Sequence, residues 1–128
     1  QELNILVVDD SNTNRKLCMC LLERDGHTCI GACDGKEAVT LVADSLRNNG
    51  KPFDCILLDY EMPNMNGPEA SEQIRKLGCS VHIVGVTGNI FSEDFLVSAT
   101  ANLLAAAMPV VLPVASGRAQ QIWFRLCQ

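Results

Sequence analysis

The sequence lacks an excess of basic residues, because its 128 residues include 10 lysines and arginines against 15 aspartates and glutamates, a formal net charge of -5. Surfaces that bind nucleic acid usually carry clustered lysine and arginine, and no such cluster is present. The longest apolar run, Leu103 to Leu112, is too short to cross a bilayer. We therefore expect no nucleic-acid binding and no membrane contact by this domain.

The sequence also lacks a recognisable signal segment, which would need a charged start, an apolar core and a cleavage site. It begins at Gln1 without a methionine, as an excised domain or a processed product would. No pair of CxxC motifs and no Cys/His set at zinc spacing accompanies its seven cysteines. We expect reduced, mostly buried thiols in a cytoplasmic protein.

The chain does have the composition of a folded domain. Charged residues make up 20% of it and hydrophobic residues 48%, which is typical of globular rather than disordered proteins. No repeat, low-complexity segment or internal linker interrupts the pattern. A chain of this length buries a proper core, so we predict one domain over residues 1–128.

The central feature of the sequence is the stretch from Cys55 to Pro63, CILLDYEMP. Four apolar residues run without alternation, as in a strand that is buried on both faces of a parallel sheet. The run stops at Asp59, and Pro63 soon closes the segment. Since ligands collect at the carboxyl ends of parallel strands, Asp59 is a candidate for chemistry.

Similar apolar runs alternate with amphipathic segments along the chain. The predicted strands are Leu3–Val8, His27–Gly31, Cys55–Asp59 and Val81–Val86, and the predicted helices are Thr13–Arg24, one capped by Asp34 and ending near Arg47, one from Gly67 and one from Glu93. The residues predicted to face inward from the first three helices are Leu17, Cys18, Leu21, Leu22, Ala38, Val42, Leu46, Ala70, Ile74 and Leu77.

This alternation indicates βαβ units with right-handed crossovers and a parallel sheet. We predict an α/β fold of the flavodoxin-like (βα)5 type, a doubly wound five-stranded parallel sheet of order 2-1-3-4-5 in three α/β/α layers. In that order the first and third strands are neighbours, so Asp9, Asp10, Asp59 and Thr87 converge at the topological switch point.

Three carboxylates at one point repel one another unless a cation or protons offset their charge. Hard oxygen ligands of this kind suit Mg²⁺, and a carboxylate beside that ion can act as a nucleophile that forms an aspartyl phosphate. Simpler readings remain open, since Asp10 could only cap the first helix and Thr87 could only end a strand. A haloacid-dehalogenase-like phosphatase fits poorly, because Ser11 stands where its Asp-x-Asp motif needs the second aspartate.

Four segments resemble the receiver domain of two-component response regulators, and in particular the receivers attached to hybrid histidine kinases. They are LNILVVDDSNTNR, DGKEAV, DCILLDYEMPNMNG and VGVTGN, which together run from about Leu3 to Asp94. The resemblance implies a signalling module that takes a phosphoryl group from a histidine kinase or a histidine phosphotransfer protein. Such a module catalyses only its own phosphorylation and dephosphorylation and is not a turnover enzyme.

The resemblance also implies a role for each site residue. Asp59 would be the phosphoacceptor, Asp10 a direct Mg²⁺ ligand and Asp9 the holder of a coordinated water. The backbone carbonyl of Glu61 would supply a further metal ligand, and Thr87 would be the switch hydroxyl.

The last third of the sequence departs from the family pattern, because receivers carry a Lys-Pro pair at the end of the fifth strand and no lysine follows Lys76 here. Either Met108-Pro109 or Val114 would stand at that position. A degenerate receiver that acts as a phosphorylation-independent interaction module is therefore the alternative. We also expect a closing amphipathic helix from Ser116 to Gln128, with Trp123 on it.

Overall fold

The computed structural model describes residues 2–47 and 50–86, which form strands and helices in strict alternation. The strands are β1 (Asn4–Val8), β2 (Thr28–Ala32), β3 (Cys55–Asp59) and β4 (His82–Val86). The helices are α1 (Asn12–Arg24), α2 (Gly35–Arg47) and α3 (Gly67–Lys76). Each element begins within one residue of its predicted start.

The strands are parallel and lie in the order β2-β1-β3-β4. Val8 at the end of β1 pairs with Ala32 of β2 on one side and with Leu58 of β3 on the other. The carboxyl ends of the three strands therefore lie level with one another. This order confirms the flavodoxin-like prediction for the strands that are described.

Alternate residues of each strand face opposite layers, as the pleat requires. Leu6 and Val8 pack in one core cluster with residues of α2 and α3, whereas Ile5 and Val7 pack in a second cluster with Cys18 of α1. Both faces of the sheet are thus covered, which gives the predicted three layers. Burying each of these aliphatic side chains contributes about 1.5–3 kcal/mol, so the strand ends are fixed on a rigid base.

Three leucines that were predicted to face inward are exposed instead. The exposed fraction is 49% for Leu17, 48% for Leu46 and 39% for Leu77. Leu17 lies one residue before the buried Cys18, which is a rotation of about 100° around the helix axis. Leu46 lies eight residues after Ala38, and at about 100° per residue this places it about 80° around the helix axis from Ala38. Leu77 follows the last residue of α3 as its C-cap. The helical spacing was correct, but the predicted apolar stripes were too wide.

His27 lies in the turn before β2 rather than in the strand, so its predicted position was wrong by one residue. Its backbone N–H donates to the carbonyl of Leu22 at 3.1 Å, which closes the end of α1. Its ring Nδ1 accepts a hydrogen bond from the N–H of Leu3 at 3.2 Å. These two bonds tie the turn to the start of the sheet and hold the ring half-buried.

The buried Asn4 also fixes the amino edge of the sheet, which the sequence pattern did not reveal. Its N–H donates to a carboxylate oxygen of Asp54 at 2.7 Å, and its side-chain amide donates to the carbonyl of Pro52 at 3.0 Å. A buried amide is tolerated when its donors are paired in this way. The bonds hold the entry to β3 against the start of β1.

The six cysteines in the described part of the chain are free thiols, as expected. Cys18 and Cys55 are buried, and burial raises the pKa of the Cys18 thiol to about 12. Cys29 and Cys79 are half-buried and Cys20 and Cys33 are exposed, so the expectation that the thiols are mostly buried was wrong for the described cysteines.

Several predictions concern residues outside the described ranges: Thr87, the fourth helix from Glu93, the fifth strand and the helix from Ser116 to Gln128. They stay predictions, as does the single domain over 1–128. Within residues 2–47 and 50–86, no helix combines the length and apolar character needed to span a membrane.

The close approach of α2 to the loop after β3 makes Gly35 intolerant of a side chain. A methyl group there would lie 2.6 Å from the carbonyl oxygen of Met65. Although alanine favours helix over glycine, we predict that Gly35→Ala lowers the free energy of unfolding by about 1–3 kcal/mol, because backbone must move. Urea denaturation measures the change.

Gly50→Ala is the matched control, since the nearest atom to its added methyl lies 3.6 Å away. We expect its free energy of unfolding to stay within about 0.5 kcal/mol of the wild type. Equal stability of the two variants would contradict the close packing of α2 on this loop.

Candidate functional site

Three carboxylates meet at the carboxyl edge of the sheet. Asp9 and Asp10 directly follow β1, and Asp59 is the last residue of β3. One oxygen from each carboxylate can be chosen so that all three lie within 4.8 Å of one another. The level ends of the two adjacent strands bring these residues together, as the sequence predicted.

Asp9 is the most deeply held of the three. Its side chain is buried, and one carboxylate oxygen accepts the N–H of Ser11 at 2.8 Å. The guanidinium of Arg15 donates to the backbone carbonyl of Asp9 at 2.7 Å and, through its other nitrogen, to the side chain of Asn12 at 2.8 Å. The turn from β1 into α1 is therefore fixed from both sides.

Asp10 does not cap α1, because Ser11 is the N-cap and accepts the N–H of Asn14 at 3.3 Å. The Asp10 side chain is exposed. The simpler reading of Asp10 as a helix cap was therefore wrong, and its carboxylate faces the cluster and the solvent.

The cluster strongly perturbs the ionisation of Asp59. Burial, followed by the negative charges of Asp9 and Asp10, raises the pKa of Asp59 to about 7. Hydrogen bonds from the backbone N–H groups of Glu61 and Tyr60 act in the opposite direction and favour the carboxylate. Burial also raises the pKa of Asp9, against the hydrogen bond from Ser11. Without a counter-charge, Asp59 is therefore partly protonated near neutral pH.

A hard divalent cation fits this donor set. Carboxylate oxygens from three residues, two of them on adjacent strand ends, are the ligand type that Mg²⁺ prefers, and the exposed face leaves room for the waters that this ion retains. A cation would also offset the repulsion that raises the pKa of Asp59. The side chain of Glu61 is exposed, and the predicted role of its carbonyl stays a prediction.

Sequence reasoning missed the residues that support the site. Arg15 was not singled out, although it lies one helical turn after Ser11. Asn64 was also missed; its backbone is left-handed, with φ of 65°, and its side-chain amide donates to Asp34 at 3.0 Å. Asparagine is one of the few residues that adopt this conformation readily, so the PNMN sequence carried a signal.

Comparisons with known proteins agree with this geometry. The family model for the response regulator receiver domain matches residues 5–107. The sensor histidine kinase RcsC of Salmonella typhimurium is 37% identical over 93 residues, which cover 73% of this chain and 9% of RcsC. Two-component response regulator 24 of Arabidopsis thaliana is 40% identical over 86 residues, covering 67% of this chain and 58% of that protein. The chain thus spans only a small part of the length of RcsC.

Solved structures lead to the same fold. The receiver domain of the Arabidopsis thaliana histidine kinase CKI1, complexed with Mg²⁺ and BeF₃⁻, is 29% identical with a TM-score of 0.62, over 77% of this chain and 74% of that one. The receiver domain of the hybrid histidine kinase CckA, at 22% identity and a TM-score of 0.68 over 79% and 98% of the two chains, supports the fold alone. With its parallel sheet and acidic cluster, the chain belongs to the response regulator receiver domain family of two-component systems.

Proposed function

We propose that this domain accepts a phosphoryl group on Asp59 from a phosphohistidine donor, in a reaction that depends on Mg²⁺. The observation that carries the proposal is the convergence of Asp9, Asp10 and Asp59 within 4.8 Å at the carboxyl edge of the sheet. Such a cluster is electrostatically costly without a cation and has no packing role that an apolar residue would not serve better.

Asp10 and Asp59 would ligate Mg²⁺ directly, the carbonyl of Glu61 would add a further ligand, and Asp9 would hold a coordinated water. When bound, the ion would offset the negative charge of the cluster and of the incoming phosphoryl oxygens. The fit of the donor set supports this assignment, and CKI1 provides a relative whose receiver domain was crystallised with the ion.

The chemical step belongs to Asp59. Its carboxylate oxygen attacks phosphorus, the new O–P bond forms as the N–P bond of the phosphohistidine breaks, and the released imidazole takes up a proton. Only the ionised carboxylate is an effective nucleophile. The N–H groups of Tyr60 and Glu61 favour that form, and removal of the repulsion from Asp9 favours it further.

Thr87, which follows β4 in the sequence, would donate a hydrogen bond from its hydroxyl to the phosphoryl oxygens of the product. This hydrogen bond would couple phosphorylation to the surface that binds the partner. The donor would be a histidine kinase or a histidine phosphotransfer protein, since the relatives include kinases such as RcsC and CKI1. The domain would act as a signalling module that changes its protein contacts, not as a turnover enzyme.

We also propose that the domain acts in the cytoplasm, where the thiols of its seven cysteines stay reduced. The net charge of -5 favours a protein partner over nucleic acid. Neither nucleic acid nor a membrane is needed for the proposed transfer.

The second candidate is a degenerate receiver that signals without phosphorylation. The observation that favours it is the absence of any lysine after Lys76, since the family uses a lysine ammonium to contact the phosphoryl group. The family model stops matching at residue 107, directly before Met108-Pro109. An acidic cluster without that cation would still bind metal but would transfer phosphate slowly.

Incubation with phosphoramidate, read by intact mass, separates the two candidates. We expect an adduct of one phosphoryl group on the wild type that requires Mg²⁺, and no adduct on Asp59→Asn, because the amide is not a nucleophile. Asp10→Asn should reduce the rate about 10²-fold or more, because it removes a direct metal ligand.

Asp44→Asn on α2 is the matched control, since it removes one exposed carboxylate outside the cluster. Its rate should match that of the wild type. Absence of an adduct on folded wild-type protein would sink the phosphoacceptor proposal and favour the degenerate receiver.

Restoring the lysine tests its role. We expect Met108→Lys to raise the rate of phosphorylation by phosphoramidate about tenfold, because an ammonium would stabilise the charge that develops on the phosphoryl oxygens. Val114→Lys tests the other alignment, and Met108→Gln controls for the loss of methionine. Unchanged rates in both lysine variants would contradict the role of the lysine and both alignments.

A further inference from the structure

The loop that follows Asp59, residues 60–66, is anchored to the start of α2 through one carboxylate. Asp34 accepts the N–H of Glu37 with one oxygen at 2.8 Å, which caps α2. Its other oxygen accepts the side-chain amide of Asn64 at 3.0 Å. Asp34 therefore bridges the helix and the loop.

A second contact lies directly beside this bridge. The backbone of Gly35 lies so close to the loop that a methyl group on it would be 2.6 Å from the carbonyl oxygen of Met65. Asn64, the residue before Met65, has a left-handed backbone with φ of 65°. The loop consequently reaches α2 through a side-chain hydrogen bond and a backbone contact at adjacent residues.

The same loop determines the surroundings of Asp59. The backbone N–H groups of Tyr60 and Glu61 donate to the Asp59 carboxylate. The carbonyl of Tyr60 accepts the N–H of Gly67 at 2.9 Å, which closes the loop onto the start of α3. Asn64 lies between these two attachments of the loop, three residues after Glu61 and three before Gly67.

We propose that Asp34 and Asn64 are positioning residues for the phosphoacceptor site, and we call their hydrogen bond the Asp34–Asn64 clamp. The clamp holds the loop so that Tyr60 and Glu61 face Asp59 correctly. This inference rests on the proposed function for its effect on phosphorylation. Asn64 is exposed to solvent, so breaking the clamp should affect the site far more than the stability of the fold.

The test uses Asn64→Asp, which replaces the donor by a carboxylate facing Asp34. We expect the rate of phosphorylation by phosphoramidate to fall about five- to tenfold, with a similar weakening of Mg²⁺ binding measured by calorimetry. The added negative charge alone would strengthen Mg²⁺ binding, so weaker binding identifies the broken clamp.

Two further variants control the result. Asn66→Asp makes the same substitution in the same loop, and aspartate there still caps α3, as Asn66 does by accepting the N–H of Glu69 at 2.9 Å. Its rate should stay within about twofold of the wild type. The double variant Asp34→Asn with Asn64→Asp exchanges donor and acceptor, and it should recover most of the lost rate.

Amide hydrogen exchange of Tyr60 and Glu61 separates failure of the clamp from failure of the proposed function. If the wild type takes no phosphate, the proposed function fails, yet faster exchange in Asn64→Asp and its recovery in the double variant would still support the clamp. Equal exchange in Asn64→Asp and Asn66→Asp would overturn it. A loss of thermal stability in Asn64→Asp with unchanged phosphorylation and Mg²⁺ binding would also overturn it.

Discussion

The repulsion among three carboxylates at the ends of two adjacent strands is the constraint on which the site depends. Asp9, Asp10 and Asp59 lie within 4.8 Å of one another, and burial together with this repulsion raises the pKa of Asp59 to about 7. The folded state therefore binds a proton at Asp59 that the unfolded chain releases well below neutral pH, so this group contributes less to stability as pH rises through 7. A divalent cation bound by the carboxylates would offset the same repulsion.

The scaffold keeps the carboxylates in place against that repulsion. Apolar strands, buried on both faces between α1 and the pair α2 and α3, set the level of the strand ends. Polar contacts then fix the turns, with Arg15 holding the carbonyl of Asp9 and the Asp34–Asn64 clamp holding the loop after β3. The apolar core fixes the positions of the strand ends, and the polar contacts in the turns fix the orientations of the carboxylates.

The strand order and the convergence of the acidic residues were predictable, because apolar runs without alternation identify parallel strands and their carboxyl ends share one edge. The exposure of Leu17 and Leu46 was not, since the width of a buried helix face depends on the size of the sheet beneath it. The Asp34–Asn64 clamp joins residues thirty positions apart, and Arg15 acts on a backbone carbonyl. Neither contact leaves a periodic signal in the sequence.

Proton release on Mg²⁺ binding tests most directly whether a cation relieves the repulsion at Asp59. Calorimetry at pH 7 in two buffers of different ionisation enthalpy gives the number of protons released. The account predicts about half a proton at pH 7, a value that falls toward zero above pH 8 and is absent in Asp59→Asn. Mg²⁺ binding without proton release at pH 7, or equal release in Asp59→Asn, would contradict it.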